Sequence, residues 1–298
     1  MNVDSLEPRP HSFVYEGTRR IAWHEFGQTN SPVATALYCH GTPGSGYEAL
    51  FLDGAAKELG IRIIAPDRPG LGQSDPVAHR RVSTWAEEDA AALLEHLGLE
   101  QMSVIGFSGG GPYAMSLAAL YPHKVDQLIL LAPFTHHSLW STRIGLALTP
   151  LRVHLTCLIS SVIPKGLLDR ATAAVCAPLS PVSPLAAALG QKVQGRTAAY
   201  RMAVSHDYAL PSSIDIEGGV QDEHAIQGDW GFSESTVKTP VHVWIGGSDR
   251  VVKPARARNL GLRLGAQIHE LPRDGHFSLL MSCAGSFLAP VLSRAVNW

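Results

Sequence analysis

The sequence predicts an α/β fold: a mostly parallel sheet with helices on both faces and a helical insertion. Three observations predict it. Short apolar runs alternate with helical patterns over residues 12–133 and again over 237–298, and regular strand–helix alternation implies right-handed βαβ crossovers. The runs are nearly continuous in apolar residues, as strands covered on both faces should be. Between them, residues 134–236 lose the alternation, with Pro150, Pro164, Pro178, Pro181, Pro184 and Pro211 set among helix-like apolar segments. The economical organisation is one core, residues 1–133 and 237–298, with 134–236 inserted over one edge of the sheet as a helical cap.

Each element has its own signal. SFVYEGTRRIAWHEF (12–26) reads as two short strands around Gly17. ATALYCH (34–40) is a strand ending in a Gly-rich loop, and YEALFLDGAAKELG (47–60) has helical spacing and a glycine stop. IRIIAP (61–66) is a strand followed by the turn DRPGLGQSD. STWAEEDAAALLEHLGL (83–99) is a helix for which Ser83 is the expected N-cap. SVIG (103–106), GPYAMSLAALYP (111–122) and VDQLILLAP (125–133) form strand, helix and strand. After the insertion come the strand PVHVWIGG (240–247), a helix near 254–264, the strand AQIHELP (266–272) and a last helix from about 278.

Composition excludes several classes. The chain has 298 residues, 45% hydrophobic and 17% charged, which suits a globular protein with a large core. A net charge of −2 gives no attraction to nucleic acid or to an acidic membrane. The stretch LTPLRVHLTCLISSVIP (148–164) is interrupted by Arg152 and His154 and falls short of the roughly 20 apolar residues of a membrane span. Cys39, Cys157, Cys176 and Cys283 are scattered without a C-x-x-C pair, which speaks against zinc and disulfides and for a reducing cytoplasm. The N-terminus carries early acids and no apolar core segment, unlike a secretory signal.

The chemistry is concentrated in VIGFSGGGPYA (104–114). Ser108 sits in a G-x-S-x-G pattern between an apolar strand and a helix, the setting of a nucleophile elbow. The elbow strains the serine backbone, so residues two away must be small, and Gly106 and Gly110 are. GGGPYA (109–114) also fits a relaxed dinucleotide fingerprint, with Asp126 20 residues after Gly106. The ribose-binding acid of that motif belongs at the carboxyl end of the next strand, and Asp126 sits at the start. The nucleophile reading is preferred.

A serine nucleophile needs a base and an orienting acid, both just after strands. VHVWIGGSDRVV places Asp249 beyond one strand, and IHELPRDGHFSLL places His276 beyond the last. The order Ser108, Asp249, His276 is the one such an elbow calls for. His136 and His137 are the rival bases; Asp274 is too near His276 in sequence to reach behind its ring, and Asp67 is expected to tie down the RPGLGQS turn. An oxyanion hole needs two N–H donors. Gly109 supplies one. HGTPGSG (40–46) supplies the other from Thr42, with Gly44 as the alternative, since Pro43 has no N–H.

Together, HGTPGSG, DRPGLGQSD, GFSGGGPYA, GGSDRVV and DGHFSLL resemble the α/β-hydrolase superfamily, the single-chain type with a helical cap, over roughly residues 12–133 and 237–298. The resemblance implies a serine hydrolase working through an acyl-enzyme, with Ser108 attacking, His276 moving the proton and Asp249 orienting the imidazole. It implies no cofactor and no metal. Relatives with an aspartate nucleophile are disfavoured, because residue 108 is serine.

In the insertion, Phe134, Trp140, Tyr200, Met202, Tyr208 and Trp230 are candidate pocket residues, with Phe134, Trp140 and Trp230 foremost. Few basic residues cluster there, so a small, moderately apolar ester or lactone is the expected substrate and the expected partner. Carbon–carbon bond hydrolysis, aminopeptidase-like amide cleavage with Glu217, Asp222 or Glu223 holding the amine, a biosynthetic cyclisation, and a ligand receptor on the same fold are the alternatives. Oligomeric state is left open.

Overall fold

The computed structural model describes residues 10–42, 44–78, 80–136 and 216–293. Trp140, Tyr200, Met202, Tyr208, His137 and the apolar stretch 148–164 lie outside the described residues.

Eight strands form one sheet: β1 (His11–Tyr15), β2 (Arg19–Gly27), β3 (Ala34–Cys39), β4 (Ile61–Pro66), β5 (Met102–Phe107), β6 (Val125–Leu131), β7 (Val241–Gly246) and β8 (Gln267–Leu271). Their spatial order is β1-β2-β4-β3-β5-β6-β7-β8. β1 and β2 make a hairpin through Glu16 and Gly17, both at positive φ, and β2 pairs antiparallel with β4. From β4 to β8 every pairing is parallel. β6 and β7 are sheet neighbours although more than 100 residues separate them, so the sheet closes up across the insertion.

The parallel strands are buried on both faces, which is why they read as unbroken apolar runs. One core packs Leu37, Val104, Leu128, Leu130, Val243 and Ile245 under α1 (Gly110–Leu120) and its neighbours. The other packs Tyr38, Ile105, Phe107, Ile129 and Leu131 against the C-terminal helical residues around Leu279, Phe287 and Leu288.

The helix after β4 runs Val82–Trp85 into a π-helical turn, Ala86–Ala90, and on to His96. Its N-cap is Arg81 and not Ser83; the Arg81 N–H donates to Thr84 Oγ1 at 2.8 Å. Ser83 lies inside the helix, buried, and its N–H donates to the Trp230 carbonyl. That long-range hydrogen bond outweighs serine's local preference for the cap.

Strand order reverses at β3: the chain steps to β4 on one side and returns to β5 on the other. In open parallel sheets the crevice at such a reversal, beyond the carboxyl ends of the strands, is where ligands sit. The residues that leave β3 and β5 there are His40–Gly41–Thr42 and Ser108.

Candidate active site

Ser108 follows β5 directly and has φ of 51°, a left-handed conformation rare outside glycine. Its N–H is held by the Leu131 carbonyl at 2.9 Å, and its carbonyl accepts from Gly111 and Phe134. The turn is too tight for larger neighbours. A Cβ on Gly106 would lie 2.7 Å from Ala114 Cβ, and one on Gly110 would lie 2.0 Å from the Cys39 carbonyl oxygen. Both glycines are therefore steric requirements of the elbow.

Two distant loops bring their side chains to this serine. His276 Nε2 is 2.8 Å from Ser108 Oγ, and His276 Nδ1 is 2.7 Å from Asp249 Oδ2. A carboxylate only accepts, so Nδ1 carries the proton and Nε2 is left to accept from the serine hydroxyl. Asp249 is fixed in turn: its Oδ1 accepts from the Val251 and Val252 N–H groups at 2.7 and 2.9 Å. The imidazole packs between Phe107 and Phe277, with ring centroids 4.9 and 5.2 Å away. Asp249 and His276 are buried while Ser108 is partly exposed, so of the three side chains the serine is the one open to solvent.

The rival residues are elsewhere. His136 stacks on Trp230 and lies 2.7 Å from the Gly228 carbonyl. Asp274 accepts from Ser282. Asp67 holds the turn, accepting from the Gly46 and Gln73 N–H groups.

The Gly109 and Thr42 main chains face each other across the crevice: a Cβ on Gly109 would lie 3.2 Å from the Thr42 nitrogen. Among the described residues, neither the Thr42 nor the Gly109 N–H donates to a main-chain acceptor. Gly109 is also the N-cap of α1, so the helix dipole adds positive potential at the same spot. Two N–H groups without a main-chain acceptor among the described residues, at a helix N-terminus beside a serine hydroxyl, can receive a developing oxyanion.

Of the pocket candidates, Phe134 donates its N–H to the Ser108 carbonyl and so adjoins the site. Trp230 does not line it. It is buried in the core, stacked on His136 and Phe232, with its indole N–H on the Ile226 carbonyl. An aromatic ring in an insertion satisfies the core as readily as a pocket, and here the core took it.

Beneath the β3 loop lies a group of buried charges centred on Asp222, a residue the sequence offers only as a holder of a substrate amine. Asp222, on α2 (Ile216–Gln227), is fully buried and accepts from Arg68, Arg80, Tyr113 and Thr42. Its carboxyl is held far below the ordinary carboxylate range because the two guanidinium groups and these hydrogen bonds outweigh its burial. A signal existed: Gly218, Asp222, Ala225 and Ile226 share the helical spacing of a buried stripe with a single charge in it. Beside it, burial first and the Arg68 charge second push His40 down to about 3, so it is neutral. Burial raises Glu48 to about 7 against the hydrogen bonds it accepts from Gly41 and Tyr38.

Comparison with known proteins agrees with this fold. A family described as alpha/beta hydrolase fold matches residues 37–149. A proline iminopeptidase of Lactobacillus helveticus is 39% identical over 108 residues, 34% of this chain and 36% of the relative. A 2-hydroxy-6-oxononadienedioate/2-hydroxy-6-oxononatrienedioate hydrolase of Paraburkholderia phymatum is 32% identical over 126 residues, 40% of this chain and 42% of that one. The matches thus span well under half the length of these curated relatives. Among solved structures, an esterase from Exiguobacterium antarcticum superposes with a TM-score of 0.68 at 17% identity, covering 96% of this chain and 99% of its own. An enol-lactonase from Burkholderia xenovorans gives 0.59 at 18%, covering 90% and 93%. The family match holds the β3 loop and Ser108 but stops short of Asp249 and His276, whose convergence on the serine is a property of the folded chain. With its sheet order, elbow and matched segment in agreement, the chain has the alpha/beta hydrolase fold, and its residues 37–149 match the family of that description.

Proposed function

We propose that the protein is a serine hydrolase that cleaves small, moderately apolar esters or lactones through an acyl-enzyme. The observation that carries this reading is the continuous relay from Ser108 Oγ through His276 to Asp249, with contacts of 2.8 and 2.7 Å. In the first half-reaction Nε2 takes the hydroxyl proton as Oγ attacks the carbonyl carbon, and Asp249 stabilises the imidazolium. The carbonyl oxygen becomes an oxyanion held by the Thr42 and Gly109 N–H groups. Nε2 returns the proton to the departing alcohol. A water then repeats the sequence on the acyl-serine and frees the acid.

Residues 134–236 act as a cap over the crevice. Both ends of that segment meet the site, Phe134 at the Ser108 carbonyl and Asp222 at Thr42. The engagement of Asp222 with two arginines favours an ester or lactone over an N-terminal amine, because this carboxylate has no capacity left for an ammonium group. Among the described residues no helix is long and apolar enough to cross a membrane, and no cluster of three or more His, Cys, Asp or Glu is placed to hold a metal. Buried free thiols at Cys39 and Cys283 support a reducing, cytoplasmic setting.

The test is turnover of p-nitrophenyl esters of increasing acyl length, of an aliphatic lactone, of a prolyl anilide and of a vinylogous 1,5-diketone. The proposal expects ester or lactone turnover that Ser108→Ala abolishes. Turnover confined to the anilide or the diketone would move the same three residues to amide or carbon–carbon hydrolysis, and none at all would favour a ligand receptor.

A further inference from the structure

The Thr42 amide can stabilise an oxyanion only if it points at the crevice, and the β3 loop offers no regular structure to aim it. The buried charges supply the aim. Arg68 donates to the His40 carbonyl at 2.5 Å, to the Gly41 carbonyl at 2.9 Å and to Thr42 Oγ1 at 2.9 Å. One guanidinium therefore grips three consecutive residues. The Thr42 hydroxyl, having accepted from Arg68, donates to Asp222 Oδ2 at 2.7 Å. The Gly41 N–H is held by Glu48 Oε1 at 2.9 Å. Among the described residues the Thr42 N–H has no main-chain acceptor.

Asp222 fixes the guanidinium itself. It accepts from Arg68 Nε at 2.9 Å and from Arg68 NH2 at 2.7 Å, a two-point contact that sets the plane of the group. Arg80 and Tyr113 Oη each add a hydrogen bond of 2.8 Å to Oδ1, the oxygen that also accepts from Arg68 Nε, and the Arg68 guanidinium lies 4.6 Å over the Tyr113 ring. Asp222 and Arg68 are 0% and 1% exposed, so nothing in solvent can replace a lost partner. The helix bearing Asp222 is seated by close main-chain contact: a Cβ on Gly218 would lie 2.1 Å from the Gly70 carbonyl oxygen. That contact holds the carboxylate at a fixed height above the DRPG turn.

We propose that Asp222, acting through Arg68 and the Thr42 hydroxyl, is a positioning residue for the oxyanion hole. It rests on the hydrolase reading above and extends it: a residue near the C-terminal end of the insertion, 180 positions after Thr42, sets the catalytic geometry of the first βα loop. Asp222 touches no reacting atom. Its effect belongs in the transition state, where the Thr42 N–H must meet the oxyanion, and not in binding of the uncharged ester.

The experiment compares the wild type with Asp222→Asn and Thr42→Val. The second variant keeps the amide and the side-chain shape but cuts the link to Asp222 and Arg68. Active sites are counted by stoichiometric fluorophosphonate labelling, and each protein is assayed for kcat and KM on a p-nitrophenyl ester and for affinity to an alkyl boronic acid. The boronate forms a tetrahedral adduct with Ser108 that needs the oxyanion hole. The expected result is a fall in kcat per active site of about 10- to 100-fold, with a parallel loss of boronate affinity and KM within about threefold. A role limited to holding the fold would lower the melting temperature and the number of active sites while leaving both per-site quantities intact, and that result overturns the proposal. Should Asp222→Asn not fold, Thr42→Val decides alone. An inactive, unlabelled wild type sinks the hydrolase reading and this inference with it, whereas an active wild type with unaffected variants sinks this inference only.

Discussion

Glu48 is a carboxyl group in the wrong medium, and its titration should be readable in the stability of the whole protein. Its side chain is buried behind the β3 loop, where Oε1 accepts from Tyr38 Oη at 2.7 Å and from the Gly41 N–H at 2.9 Å. Loss of hydration opposes the charge more strongly than these donors and Arg68 favour it, so ionisation moves from 4.5 to about 7. In the unfolded chain the ordinary value returns. Between those two values the folded state binds the extra proton, so the stabilising contribution is complete below the unfolded value and lost as pH rises through the folded one. At about 1.4 kcal/mol per pH interval, the gap corresponds to a loss of about 3 kcal/mol. Glu48→Gln keeps an acceptor for both hydrogen bonds and does not titrate. The neutral His40 makes the opposite contribution, its stabilisation present above its unfolded value and lost as pH falls toward about 3, but it is common to both proteins and cancels in the difference. Urea denaturation at pH 4.5 and pH 8 measures that difference. The variant should gain about 3 kcal/mol relative to the wild type between the two. A difference that stays within about 1 kcal/mol, or moves the other way, would refute the burial argument.

Two further substitutions examine the site itself. Asp249→Asn should leave the fold intact but present the wrong hydrogen-bonding partner to His276 Nδ1, lowering kcat about 10⁴-fold on an ester; a loss under tenfold would mean the imidazole is oriented by something else. Gly109→Ala meets no backbone obstacle, since φ there is −61°, but its methyl would lie 2.3 Å from Thr42 Oγ1 and 2.7 Å from Thr42 Cβ. Displacing the loop should cost at least about 100-fold in kcat, and a variant within threefold of wild type on the same ester would remove Thr42 and Gly109 from the oxyanion hole.

What could be read in the sequence was whatever a local rule governs. Ser108, Asp249 and His276 each stand just past an apolar strand, and parallel strands deliver their carboxyl ends to one rim, so three separated motifs imply one place. The elbow glycines were legible for the same reason: a strained turn admits little else. Residues whose roles depend on remote partners were not. Asp222 has a polar neighbourhood in the sequence, and only the fold sets Arg68 and Arg80 against it, 154 and 142 positions away. Trp230 and Ser83 were misread together, because the hydrogen bond between their main chains places one in the core and the other inside a helix. Glu48 lies in a helical stretch whose spacing says nothing of a carboxylate turned beneath the β3 loop.

The central claim is that Ser108 is a nucleophile activated by His276. Treatment of the folded protein with a fluorophosphonate, followed by peptide mass analysis, tests it most directly. The account predicts one adduct, on the peptide carrying Ser108, absent in Ser108→Ala and formed far more slowly in His276→Ala. A folded wild-type protein that takes up no reagent at Ser108, or takes it up equally fast without the imidazole, would contradict it.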